Sequence, residues 1–180
     1  MFQLLDVWIL ALTSLAVFFD ISFRKIPNWL TLFGLAGGLI LNALEGLDHL
    51  YGSLLGFSLG IGLFFLPFAA GWLGAGDVKY FAVVGSLIGF RLLPRVLFYS
   101  ILTGGLLAII SLVNQNRRLD AAKIRNAWLD YRLAALTLGR IRPEKSSRAT
   151  ASATIPWGVA IGAGTIFAYY VDARGYWAGF

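Results

Sequence analysis

The sequence predicts an all-α fold: a polytopic membrane helix bundle of about six transmembrane helices, N-out and C-out. Three observations carry this. Of the 180 residues, 58% are apolar and 13% charged, and mean hydropathy is +0.75, whereas a soluble domain is nearer half apolar and a quarter charged. The apolar residues gather in six runs. The cations fall on alternate connections, as expected of a chain oriented by positive loops in the cytoplasm. A soluble core of this size could not bury so much apolar sequence without large exposed patches, which argues against a soluble domain and against disorder.

The runs follow in order. Residues 4–19 are apolar except for Asp6, Thr13 and Ser14, and no cleaved signal peptide is expected, because the run leads into Asp20 and a basic loop. Residues 29–44 and 51–70 form the second and third. Residues 78–90 are shorter, a half-helix or one extended through Leu92 and Leu93 with Arg91 snorkelling. Residues 94–113 and 155–171 complete the set. A span needs about 20 helical residues to cross ~30 Å of hydrocarbon, so several runs imply local thinning or interfacial ends. Gly56, Gly60, Gly62, Gly104 and Gly105 lie within the runs, and small residues let helices approach closely in lipid.

With the N-terminus outside, the inner connections hold twelve of the fifteen Lys and Arg, and the outer side keeps Arg91, Arg95 and Arg174. The net charge of +6 therefore reads as orientation against a bilayer with anionic lipid, not as nucleic-acid binding. The one long polar segment, residues 114–154, is basic. Ala121, Ile124, Trp128, Tyr131, Ala135 and Leu138 recur in it at steps of three and four, the pattern of an interfacial amphipathic helix. Trp29 and Trp72 read as interface-belt residues. His49, beside Asp48, reads as solvated in a short outer loop.

Chemistry has few residue types to work with. Cys is absent and His49 is the single His. This removes thiol nucleophiles, disulfides and Cys- or His-based metal sites. No metal or cofactor is expected. Carboxylates remain. Asp20 ends the first run, ahead of Ile26-Pro27-Asn28, and Asp77 follows the third in Gly74-Ala75-Gly76-Asp77-Val78-Lys79. The topology puts both on the cytoplasmic face. An acid at a span boundary is a functional candidate by default. Two adjacent carboxyls cannot both ionise cheaply, so one activates a water while the other, protonated, serves the substrate carbonyl. Peptide hydrolysis needs both tasks. Gly74 and Gly76 suit unusual dihedrals or close substrate approach. Asp77 is placed to cap the fourth helix and Asn28 the second, behind Pro27. Lys79 reads as an anchor for acidic lipid or a charge that keeps the carboxylates ionised. Taken singly, each acid reads more readily as a helix cap or an interfacial anchor than as a catalyst.

Together, the Asp20…Ile26-Pro27-Asn28 and Gly74-Ala75-Gly76-Asp77-Val78-Lys79 motifs resemble the type IV prepilin peptidases, GxGD-type aspartyl proteases of the membrane. Ile155-Pro156-Trp157-Gly158-Val159-Ala160-Ile161 is similar to that family's last span. The resemblance implies one membrane peptidase domain over residues 1–180, with the 114–154 loop outside the matching part. It implies removal of the basic leader of a prepilin or pseudopilin at the cytoplasmic membrane face. Asp20 and Asp77 take the catalytic positions, with Pro27, Asn28, Gly74, Gly76 and Lys79 as supporting or substrate-binding residues. Pilus secretion machinery is the further partner it suggests. Larger members carry an N-terminal segment, often with a four-Cys zinc site, and methylate the new N-terminus. Here the first span starts at once, Cys is absent and no S-adenosylmethionine site is recognisable, so the chain resembles the compact members serving Flp-type tight-adherence pili. Archaeal preflagellin peptidases share the aspartate pattern. A proton-coupled transporter and a non-enzymatic scaffold are the alternatives from other classes.

Overall fold

A computed structural model describes residues 4–70, 73–114 and 156–171. The fold is the expected all-α membrane bundle. Its elements are α1 (Leu4–Phe23), α2 (Asn28–Glu45), α3 (Leu47–Ala69), α4 (Ala75–Ile88), α5 (Leu93–Asn114) and α6 (Trp157–Ile166), the last continued by a π-helical turn, Phe167–Val171. α1, α3 and residues Leu93–Ser111 of α5 are long and apolar enough to cross a membrane, and Trp157–Val171 is a shorter apolar helix. Large apolar side chains such as Leu32, Phe33, Leu54, Leu102 and Ile109 face outward, as the bilayer solvent requires. The protein is a multi-pass membrane protein. The basic amphipathic stripe through Ile124, Trp128 and Tyr131, and Trp72, lie outside the described residues.

Three boundaries differ from the sequence expectation. α1 runs on past Asp20 to Phe23, because nothing in Ile21-Ser22-Phe23 breaks a helix; the chain turns only at Arg24, whose φ of 54° is left-handed. α3 starts at Leu47 and not at residue 51. Gly46, with φ of 135°, is the whole connection from α2, a backbone angle L side chains resist. Asp48 and His49 thus sit in the first turn of α3, and His49 Nδ1 lies 3.5 Å from a Glu45 carboxylate oxygen. α4 stops at Ile88 and does not extend through Leu92 and Leu93. Gly89 ends it at φ 77°, and the Arg91 guanidinium sits over the Phe90 ring at 5.7 Å.

The six described helices pack as two groups. α4 is the inner helix of the first, with α2 and α3 around it; α1, α5 and α6 form the second. With 14 residues, α4 is about 21 Å long at ~1.5 Å per residue. It is buried continuously from Tyr80 to Leu87, as a helix apolar all round must be. Its last carbonyls have no partner within the helix. Asn42 of α2 donates to Ser86 O at 3.2 Å and Leu87 O at 3.4 Å, and Ser53 of α3 donates to Ser86 O. Small residues set the spacing. A Cβ at Gly56 would overlap the Gly85 carbonyl, and one at Gly60 would lie 2.7 Å from the Ala82 Cα. The Phe64 and Phe81 rings stack at 4.0 Å across the same seam. In the second group, Thr103 of α5 donates to Ala160 O of α6 at 3.1 Å. Tyr169 and Tyr170 donate to the Asp6 carboxylate and carbonyl at 2.8 and 2.9 Å, tying the last helix to the first.

The glycines of α3 therefore differ sharply. Gly56 meets backbone, whereas Gly62 faces open space. Gly56→Val should destabilise the detergent-solubilised protein by at least the ~1–3 kcal/mol of ordinary overpacking, since a backbone carbonyl cannot rotate away. Gly62→Val should leave the melting temperature nearly unchanged. Equal melting shifts for the two variants in micelles would contradict the α3–α4 seam.

Candidate active site

The end of α1, the start of α4 and the start of α6 converge on one cavity of about 530 Å³. α1 delivers Asp20, α4 delivers Gly74 to Asp77 and Lys79, and Pro156 and Trp157 close the side formed by α6. Ile26 reaches it from the α1–α2 connection, along with the cations Arg24 and Lys25, and Asn28 from the start of α2. The two sequence-selected acids thus share one cavity, at the end of the bundle opposite Asp48, His49 and Arg91, which line a separate recess.

Each side chain has a local reason for its place. Asp77 is the third residue of α4, where free amides point outward. Its Oδ2 accepts the Gly74 N–H at 3.1 Å, the cap its spacing predicted. Burial pushes the Asp77 carboxyl up to about 6; the Asp20 charge adds to the rise and the Gly74 hydrogen bond opposes it. The acid stands just ahead of Val78, where the apolar run begins. Asp20, on the inner side of α1 and 6% exposed, accepts the Val159 N–H of α6 on Oδ2 at 3.1 Å.

The supporting residues divide. Asn28 is the first residue of α2 and not its cap: Pro27 occupies that position, with no side-chain cap bond. The Asn28 side chain instead accepts from Lys79 Nζ at 3.0 Å, joining the starts of α2 and α4. Lys79 is therefore engaged with an amide oxygen, and it is not among the charges that set the Asp77 carboxyl. Gly74 has φ −78° and ψ 152°, angles open to any residue. Its value is space: a Cβ there would lie 3.2 Å from Asp77 Oδ2. Gly76 is helical, and a Cβ on it would meet Ile26 at an ordinary 3.7 Å. Neither glycine uses the unusual dihedrals expected of it. The α6 contribution to the site is the part the motif spacing missed. Pro156 is a helix-start signal, but nothing local to it points toward Asp20.

Residues 7–109 match the type IV leader peptidase family, and they include the Asp20 and Asp77 segments. The chain belongs to that family. Among relatives, a protein of Bacillus subtilis (strain 168) named prepilin leader peptidase/N-methyltransferase is 31% identical over 153 residues, covering 83% of this chain and 48% of that protein. Proteins of the same name from Legionella pneumophila and Escherichia coli (strain K12) are 36% and 33% identical, over 68% and 61% of this chain and 44% and 52% of theirs. The chain spans about half the length of these curated relatives. No solved structure matches it.

The cap and the carboxyl charge of Asp77 are separable. Asp77→Asn keeps an acceptor oxygen for the Gly74 amide, and Asp77→Ala does not. The Ala variant should lose about 1 kcal/mol of stability, the usual worth of a helix cap, with Asn in between. Thermal melts of the three proteins in one detergent check this; an Ala variant as stable as the parent contradicts the cap.

Proposed function

We propose that this leader peptidase family member is a membrane aspartyl endopeptidase that removes the leader of a prepilin or pseudopilin at the cytoplasmic face of the cell inner membrane. The observation that carries the reading is the shared cavity of about 530 Å³, which brings two carboxyls from different helices together. In this mechanism Asp77 enters with its proton and gives it to the scissile carbonyl, while Asp20 takes a proton from the attacking water. As the C–N bond breaks, Asp20 passes the proton it took from water to the leaving amine, and Asp77 takes back the proton from the diol oxygen as the new carboxyl forms. Pro27, Asn28, Gly74, Gly76 and Lys79 shape the entrance, Gly74 by leaving room for Asp77 and the Asn28–Lys79 bond by joining two helix starts.

The names of the relatives join a peptidase with an N-methyltransferase, and the two acids support the peptidase half. The cavity already holds Arg24, Lys25 and Lys79. The cations of a basic leader are therefore better matched by anionic headgroups around the site than by its walls. A flux relay would favour acids deep in the spans, whereas Asp20 and Asp77 sit at the ends of theirs. A pilus secretion assembly is the natural recipient of the trimmed product.

Asp20→Asn and Asp77→Asn should each abolish leader cleavage of a co-expressed prepilin while both variants still insert, because neither carboxyl can do both jobs. Retained cleavage in either one removes that acid from the mechanism. The raised Asp77 value also fixes a sign. Its proton is present below about pH 6 and lost above, so kcat/KM of the purified enzyme should decline as pH rises past about 6. A decline centred near the ordinary carboxylate value of about 4 would contradict the assignment of the proton to Asp77.

A further inference from the structure

The first turn of a helix leaves amides without partners inside it. At α6 the N-cap is Pro156, which makes no side-chain cap bond. The Val159 amide is shared between the Pro156 carbonyl at 3.1 Å and an acceptor from another helix: Asp20 Oδ2 lies 3.1 Å from the Val159 nitrogen, 139 residues away in sequence. A capping acid ordinarily belongs to the residue that opens its own helix. Asp20 approaches from the side, off α1, and passes directly over Gly158. A Cβ at Gly158 would stand 2.8 Å from both Cβ and Oδ2 of Asp20 and 2.9 Å from its Cγ, separations real Cβ atoms do not tolerate. Asp20 is buried, so it has little room to retreat.

We infer that Gly158 is a positioning residue for Asp20: its missing side chain lets the Val159 amide hold Oδ2, and this leaves Oδ1 for water and substrate. The inference rests on the two-aspartate reading and adds a third element to it. Asp20 is aimed by a backbone it does not share, and that aim depends on an absent methyl group. No conservative replacement exists, because even Ala supplies the colliding atom. Gly74 plays a related part at the other acid, but more gently, at 3.2 Å from Asp77 Oδ2.

The test uses the full chain in detergent with a purified prepilin. Gly158→Ala should lower kcat about 100-fold, the effect of roughly 1 Å of misplacement, with KM little changed because the leader-binding surface is intact. A wild-type kcat in correctly inserted Gly158→Ala protein overturns the inference. Should that variant fail to insert, the contact is read on the parent. In protein labelled with ¹⁵N-valine, with the resonance assigned through Val159→Ala, Asp20→Ala should move the Val159 amide proton upfield while the Val96 amide of α5 stays in place. A Val159 amide indifferent to Asp20→Ala overturns the inference whatever Gly158→Ala does. Asp20→Asn in the same cleavage assay separates the two levels. Wild-type cleavage there would sink the two-aspartate reading and, with it, this role for Gly158. Abolished cleavage with a normal Gly158→Ala enzyme would sink only the role of Gly158.

Discussion

The contact of backbone on backbone between α3 and α4 is what the bundle is built around. In lipid the outward surfaces gain little from packing, because hydrocarbon is as apolar as leucine. Close van der Waals fit and satisfied polar groups must hold helices together instead. Gly56 and Gly60 bring α3 against α4 until carbonyl and Cα touch the glycine face. Asn42 and Ser53 then serve the carbonyls at the end of α4. A short helix, held on several sides, becomes a fixed post. Asp77 stands on its first turn, so the position of one acid is set by packing deeper in the bundle.

The other acid belongs to a different unit. Asp20 rides on α1, which packs on α6 as α5 does, and its carboxylate engages α6. The cavity lies where the two helix groups meet. Its polar groups come from both, and the Asn28–Lys79 bond at its edge ties two helices of the first group to each other. An arrangement of this kind gives each carboxyl a rigid frame of its own. The spacing between the acids becomes a property of the joint between the groups, so occupation of the cavity can alter that spacing without disturbing either frame.

Much of this was legible in the residues. The six apolar runs, the acids at their ends and the capping role of Asp77 followed from hydropathy and spacing, because these are local properties. The partners of individual glycines were not legible. Gly56 and Gly62 look alike in sequence, and only the neighbouring helix tells the packed one from the exposed one. The same holds for Asn28, which suits a cap by composition but is bypassed because Pro27 already sets the backbone there, leaving its amide oxygen for Lys79. The start of α3 was hidden because Asp48 and His49 look like loop residues, while a single left-handed glycine suffices to turn the chain. The link from Asp20 to Val159 spans most of the sequence and has no periodic signature at all.

That long-range link has a consequence for biosynthesis. The first helix group, α2 to α4, is contiguous and can pack as soon as it leaves the ribosome. α1 precedes that group in the chain, but the helix it packs against most, α6, follows it. At roughly 5–20 residues per second, the 139 residues between Asp20 and Val159 take on the order of 10 s to synthesise. For that interval the first acid has no α6 amide to hold it, and an interrupted chain never acquires one. A chain stopped before α6 therefore carries both carboxyls into the membrane without the contact that holds Asp20.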